Sequence, residues 1–167
     1  MQKAIFLDRD GVINIDKSYV SDKENFEFCA GVFEALEHFQ SKGYLLIIVT
    51  NQSGIGRGYY TQEDFESLTQ WMREELLKKK VRIDAVYFCP HAPEAQCACR
   101  KPKSGMFHEA IEAFDIDVKA SWMIGDKPTD IQAAQGAGIT NTILIGPSIC
   151  DGAKTSVNFI LDTIDLI

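Results

Sequence analysis

The 167 residues contain no run of about 18 consecutive apolar residues, so no membrane-spanning helix is expected. Basic charge is also scarce. Lysine and arginine total 17 against 24 aspartates and glutamates, a formal net charge of −7, which is the wrong balance for a general nucleic-acid binder. Met1, Gln2 and Lys3 lead straight into an apolar segment, without room for a charged leader, an apolar core and a cleavage site, so the expected compartment is the cytoplasm. Cysteine does not pair off: of five, Cys29 and Cys150 stand apart while Cys89, Cys97 and Cys99 crowd into eleven residues. An odd count without an export signal argues for reduced thiols or metal ligation, not for a disulfide framework. Internal repeats, low-complexity segments and linkers are missing too, and the length fits one domain over residues 1–167.

What is present is an alternation of apolar runs and helical stripes. Residues 4–7 read as a buried strand that ends in two carboxylates one residue apart, Asp8 and Asp10, followed by Gly11. A long connection over residues 11–30 precedes a helix carrying Val32, Leu36 and Phe39. A second strand, 44–49, runs into Thr50, Asn51, Gln52, Ser53 and three glycines, which reads either as an anion cradle or as a flexible loop. Thr61 and Asp64 resemble a capping box, and Phe65, Leu68, Met72 and Leu76 form the core face of the helix that follows. Lys78, Lys79, Lys80 and Arg82 close that helix as cations at the negative end of its dipole. Strands over 83–88, 121–124 and 141–145, a sixth over 157–161, and helices near 106–114 and 131–135 complete an α/β pattern with a mostly parallel sheet.

Two constellations carry chemistry. Cys89, His91, Cys97 and Cys99 are the donor set of a closed tetrahedral zinc site, with unmetallated thiols as the bland alternative. Four protein ligands would leave no open position, so that metal would be architectural, and folding around it would fix Arg100 and Lys101 in space. The second constellation lies at the strand ends, where Asp8, Asp10 and Asp126 meet a Thr/Asn/Ser segment and a lysine. Carboxylates suit Mg²⁺ and a lysine suits a phosphoryl group, so this is a phosphoryl-transfer pattern. No G-x-x-x-x-G-K-[ST] segment offers a nucleotide cradle, which makes the substrate itself the phosphoryl donor. Asp8, last on its strand, suits the nucleophile, and Asp10 suits the acid/base.

Asp8-Arg9-Asp10-Gly11-Val12, Thr50-Asn51, Lys101 and Gly125-Asp126-Lys127-Pro128-Thr129-Asp130 resemble, in order, the four motifs of the haloacid-dehalogenase-like (HAD) phosphatases. Together with residues 50–59, the Cys-Pro-His segment and Cys-x-Cys-Arg-Lys-Pro, they are similar to the branch of that superfamily that acts on heptose 1,7-bisphosphates. The resemblance implies a three-layer, Rossmann-like parallel sheet without a large cap domain, with a zinc-binding loop. It further implies that Mg²⁺ is held by Asp8, the backbone carbonyl of Asp10, and Asp126, and that Thr50 and Lys101 stabilise the transferring phosphoryl group. Arg100 and Lys127 would contact the substrate, a small sugar bisphosphate, and Asp16, Lys17, Ser18 and Tyr19 with Asn51, Gln52 and Ser53 would receive the sugar. Cys89, His91, Cys97 and Cys99 would hold Zn²⁺, Asp130 would act from behind the ligands, and the protein would work as a monomer with no nucleic-acid or membrane partner.

One position departs from the pattern. Ser104 stands where the family usually has a second proline after Arg-Lys-Pro, which puts the stiffness of that loop in question. The nearest rival is the histidinol-phosphate phosphatase branch, which tends to carry Asp where this chain has Ser53 and lacks the Gly-Arg-Gly-Tyr run at 56–59. A rival of another class is a zinc-stabilised binding module without activity, whose mark would be a missing nucleophile, carboxylate or lysine. None is missing.

Overall fold

In the computed structural model, which describes residues 1–148 and 150–167, six parallel strands form one sheet in the order β3-β2-β1-β4-β5-β6. They are β1 (Ala4–Leu7), β2 (Leu45–Asn51), β3 (Ala85–Cys89), β4 (Trp122–Gly125), β5 (Asn141–Ile145) and β6 (Thr155–Val157). Their near-continuous apolar runs are what a sheet covered on both faces requires. The period of two divides them cleanly. Ile5, Leu7, Leu46 and Ile48 face one side, while Ala4, Phe6, Ile47 and Val49 face the other.

The first face is covered by α1 (Val32–Ser41) and α3 (Gln62–Lys78), which bury Val32, Leu36 and Phe39, and Leu68, Met72 and Leu76. The second is covered by α4 (Gly105–Phe114) and α5 (Pro128–Gly136), through Met106, Phe107, Ala110, Ala133 and Ala134. Phe107 stacks on Phe6 with ring centroids 5.1 Å apart. Each such fully buried side chain contributes about 1.5–3 kcal/mol, so the two faces together fix the sheet between its helices. The expected capping box is present at the start of α3, where Asp64 N donates to Thr61 Oγ1 and Thr61 N donates to Asp64 Oδ2.

The sheet grows from β1 through β2 to β3 on one side and from β4 through β5 to β6 on the other. The switch point therefore lies between β1 and β4, and the crevice at their carboxyl ends is where an open α/β sheet binds its ligand. Asp8 leaves β1 there, and Asp126 leaves β4 beside it.

Two expectations shift. The sixth strand is Thr155–Val157, not 157–161: Val157 pairs with Ile145, after which Asp162 accepts from Phe159 N and draws Ile160–Thr163 into a 3-10 turn. The glycine-rich segment after β2 is not a loose loop, because Ser53–Gly56 forms a short helical turn, α2. Its Gly56 N–H is spent on Pro90 O at 2.8 Å, and a Cβ on Gly56 would come within 2.8 Å of that backbone, so this glycine serves close packing against the Cys/His loop. Among the described residues, no helix is long and apolar enough to cross a membrane.

Candidate active site

Four stretches of chain converge on a sealed carboxylate floor. Asp8 is held at the end of β1 by its N–H, which donates to Ile124 O across the switch point at 3.1 Å. Lys101 reaches in from the turn that follows the Cys/His segment, with its side chain only 2% exposed. Its ammonium donates to Asp8 Oδ1 at 3.0 Å, Asp130 Oδ1 at 2.6 Å and Val49 O at 2.8 Å. Asn51 positions the lysine backbone, accepting from Lys101 N at 3.0 Å and donating to Lys101 O at 3.2 Å. Asp130, on the first turn of α5, spends its other oxygen on the N–H groups of Asp126 and Lys127. It therefore ties Lys101 to the turn that carries Asp126.

Charge on this floor does not balance. Asp8, Asp126 and Asp130 lie close enough to share a cation, and one ammonium answers the three carboxylates. Burial, then repulsion from Asp130, with smaller contributions from Asp126 and Asp10, raise Asp8 well above the usual carboxylate range against the pull of Lys101. Asp126 is pushed up to about 6 by burial and by Asp130, despite a hydrogen bond with Asp8 and the nearby Lys127 and Lys101. Its Oδ1 is buried without a hydrogen-bond partner among the described residues. A hard divalent cation fits such a place: oxygen donors, an orphaned carboxylate atom and two uncompensated negative charges. Gly11 makes room for it. With φ +92°, it lies where a Cβ would fall 2.1 Å from Asp126 Oδ2, so any side chain would displace the carboxylate.

The side chain of Asp10 is engaged outside that cluster. Arg9 Nη2 and Asn14 Nδ2 donate to Oδ1, at 2.8 and 3.0 Å, and Gln52 Nε2 donates to Oδ2 at 3.2 Å. Arg9, 2% exposed, lies between the rings of Phe26 and Phe65 and also donates to Val20 O, tying the long 11–30 connection to the floor. Thr50 lies at the carboxyl end of β2, its Oγ1 accepting from Gln52 Nε2 at 3.0 Å.

Above the floor opens a cavity of about 440 Å³. Asp10, Asp16, Ser18, Tyr19, Asn51, Gln52, Ser53, Arg100, Lys101 and Lys127 all line it, so the structure brings together nearly every residue expected at the sugar. Lys17 is the exception and corrects that expectation. Asp16 Oδ1 accepts from Ser18 N at 2.9 Å, and this tight turn sends Lys17 outward to Glu27, 4.0 Å away. Asn51 and Gln52 reach the wall with amides already engaged by protein. Arg57, Tyr60 and Thr129 line the cavity as well, and with Arg9 they are the residues that sequence reasoning missed. Arg9 carried a signal, a cation placed between two motif aspartates, but its burial could not be read from one sequence. A cleft of similar size, about 460 Å³, lies between α3 and β3, where Phe65, Leu77, Val86 and Phe88 give it an apolar wall and Glu66, Arg73 and Glu74 also line it, but none of the motif aspartates or Lys101 does.

The Cys/His loop leaves the end of β3. Cys89 Sγ lies 3.5 Å from both His91 Nδ1 and Cys97 Sγ, Cys99 Sγ lies 3.3 Å from His91 Nδ1 and 3.4 Å from Cys97 Sγ, and Cys89 and Cys99 approach to 2.7 Å. Most of these separations come near the edges of a thiolate-zinc tetrahedron, roughly 3.7 Å for bonds of about 2.3 Å, so the donor set fits that metal. Burial and the Cys99 thiol push Cys89 upward. Against burial, Cys97 is drawn down to about 6 by the Arg100 N–H and the surrounding thiols and imidazole. The loop docks through Gly105 N on Ala98 O and Lys103 Nζ on Cys97 O, and so frames the turn that carries Arg100 and Lys101. Ser104 supplies the stiffness that the missing proline would have given: its Oγ donates to Ala133 O on α5 at 2.7 Å.

Comparison with known proteins agrees with this geometry. The family model described as "HAD-hyrolase-like" matches residues 98–159. A D-glycero-beta-D-manno-heptose-1,7-bisphosphate 7-phosphatase of Helicobacter pylori is 54% identical over 144 residues, covering 86% of this chain and 83% of its own. A D-glycero-alpha-D-manno-heptose-1,7-bisphosphate 7-phosphatase of Campylobacter jejuni is 51% identical, covering 90% and 86%. The crystal structure of a D,D-heptose 1,7-bisphosphate phosphatase from B. bronchiseptica, complexed with magnesium and phosphate, superimposes with a TM-score of 0.90 at 27% identity over 99% of this chain and 97% of that one. On the strength of those identities and of a floor that keeps every acid and base of the motifs, the chain belongs to the HAD heptose bisphosphate phosphatases, a family of phosphoric monoester hydrolases.

Proposed function

We propose that the protein hydrolyses the 7-phosphate of D-glycero-D-manno-heptose 1,7-bisphosphate, in the cytoplasm and as a single-domain monomer, within the supply of nucleotide-activated heptose for surface glycans. The observation that carries this reading is the floor itself. Asp8 at the β1 end is aligned by Lys101 and Asp130, with Asp126 Oδ1 unpartnered beside it among the described residues, under a polar cavity of a size to hold one sugar.

The chain's own residues account for the chemistry. The hydrogen bonds that Asp8 receives from Arg9 N and Lys101 Nζ both fall on Oδ1, which leaves Oδ2 to attack phosphorus. As that bond forms, the bond from phosphorus to the sugar oxygen breaks and Asp10 delivers a proton to the departing alkoxide. Water then attacks the phosphoryl group on Asp8, giving its proton back to Asp10 and freeing Asp8. Thr50 and Lys101 stabilise the charge on the transferring phosphoryl oxygens, while Arg100 and Lys127 hold the substrate's anionic end. Mg²⁺, when bound by Asp8, the Asp10 carbonyl and Asp126, would supply the charge neutralisation that lets an anionic nucleophile meet an anionic substrate. Zn²⁺ on Cys89, His91, Cys97 and Cys99 would hold the loop that frames Arg100.

The test is kcat/KM, with Mg²⁺, for both anomers of the heptose bisphosphate, for histidinol phosphate and for fructose 1,6-bisphosphate. A preference of about a hundredfold for one heptose anomer is expected. Preference for histidinol phosphate would overturn the substrate and spare the chemistry.

A further inference from the structure

The two oxygens of Asp10 are not equivalent. Oδ1 is saturated by Arg9 and Asn14, whereas Oδ2 receives, among the described residues, the longer bond from Gln52 alone. Oδ2 is therefore the oxygen with capacity left for a proton and a substrate atom. The Gln52 side chain that touches it is buried and has no freedom of its own. Its Oε1 accepts the Tyr60 O–H at 2.5 Å, and its Nε2 donates both to Asp10 Oδ2 and to Thr50 Oγ1. Turning the amide over would set its carbonyl oxygen against the Asp10 carboxylate and lose that bond.

Tyr60 is itself wedged in place. It is 8% exposed, and its ring lies so close to Gly54 that a Cβ there would fall 2.2 Å from Tyr60 Cε1. Burial holds the phenol up at about 12, so the hydroxyl keeps its proton and donates throughout the neutral range.

We propose that Tyr60 is a positioning residue that works through Gln52, aiming the amide NH₂ at Asp10 Oδ2 and so fixing that oxygen as the one that passes the proton. The inference rests on the acid/base role of Asp10 given under Proposed function. In the first half-reaction the proton leaves Asp10 Oδ2 for the sugar oxygen, which keeps the electron pair of the breaking bond to phosphorus. In the second, Oδ2 takes a proton from the attacking water.

Leaving groups separate positioning from mere structure. A sugar alkoxide needs the proton, while p-nitrophenolate departs without it. Tyr60→Phe, which removes one oxygen and keeps the ring, and Gln52→Met are expected to lower kcat/KM about thirtyfold on heptose 1,7-bisphosphate, and about threefold on p-nitrophenyl phosphate, with melting temperatures near wild type. The expected effect of thirtyfold is part of the roughly 10²–10⁴ that a positioned acid contributes. Equal losses on both substrates, or no loss on the sugar phosphate, would overturn the proposal, and if one variant does not fold, the other decides by the same ratio. If the wild type turns over p-nitrophenyl phosphate but not the heptose, the substrate reading fails by itself, and the ratio is taken against fructose 1,6-bisphosphate, whose leaving group is also an alkoxide. A wild type inactive on all three would overturn both.

Discussion

The carboxylate floor and the Cys/His loop both gather metal-binding side chains, and they are built in opposite ways. Asp8, Lys101, and the pair Asp126 and Asp130 come from three separate stretches, and Asp8, Lys101 and Asp130 are almost completely buried. The Cys/His ligands come from eleven consecutive residues, and all but Cys89 are partly or fully exposed. The floor is cross-braced by protein, Lys101 standing between two carboxylates, so it assembles with the sheet, and a metal there would serve chemistry and not folding. The loop has little apolar surface to bury, and its shape depends on what its ligands hold. Removing a group from the floor should therefore cost activity first, while removing one from the loop should cost stability and activity together.

The largest break in that contrast is at Asp8. Asp8→Asn is expected to lower kcat by about a thousandfold or more while leaving the melting temperature unchanged or raised, since a buried carboxylate with a raised pKa is itself destabilising. Lys101→Met, in the same floor, should fail on both measures. It leaves Asp8 and Asp130 buried without their cation, which costs about 3–5 kcal/mol in a chemical melt.

Next comes the loop. Stripping its metal with a chelator, followed by dialysis into Mg²⁺, is expected to lower the melting temperature and to reduce kcat/KM by roughly ten- to a hundredfold. The cause is that Arg100 and Lys101 lose their frame by an ångström or so. Circular dichroism and steady-state kinetics on the same sample would check both, and unchanged kinetics would show that the loop does not position the site.

A smaller effect distinguishes the floor by pH. Because the folded protein holds Asp126 up at about 6, the metal-free fold binds a proton that the unfolded chain has released, and it loses stability as pH rises from roughly 4 to that value. Mg²⁺ removes this penalty by favouring the carboxylate. Its stabilising shift in melting temperature should grow from pH 5 to pH 7 and then level off, and a shift independent of pH would contradict the assignment. The smallest effect is expected at Ser104. Ser104→Ala loses the bond to Ala133 O, about 1 kcal/mol and therefore a few degrees of melting temperature, with kcat reduced only a few-fold.

The same two regions show what a single sequence exposes. The Cys/His site was legible because its ligands are local, so spacing and donor type alone named it. The floor was legible through a rule of topology, that strands of a parallel sheet end where ligands bind, which brought Asp8, Thr50 and Asp126 together before any contact was known. Lys101 could be placed only by the resemblance, because no periodicity reports that a lysine on a loop will reach Asp8 and Asp130 at the carboxyl ends of the strands. Arg9, Tyr60 and the outward turn of Lys17 were not legible. Each depends on which of several neighbouring polar groups is buried, and that is settled by packing of the 11–30 connection against α3 and the sheet. The sixth strand was misplaced for a related reason, since the apolar residues near 160 serve a 3-10 turn against α1 instead of a ladder.

The central claim is that Asp8 becomes phosphorylated. The most direct test is to quench the enzyme during turnover of heptose 1,7-bisphosphate, reduce any acyl phosphate with borohydride, and map the modified residue by mass spectrometry. Conversion of Asp8 to homoserine, dependent on substrate and lost in Asp8→Asn, is expected. Modification at Asp10, Asp126 or Asp130, or none while turnover continues, would contradict it.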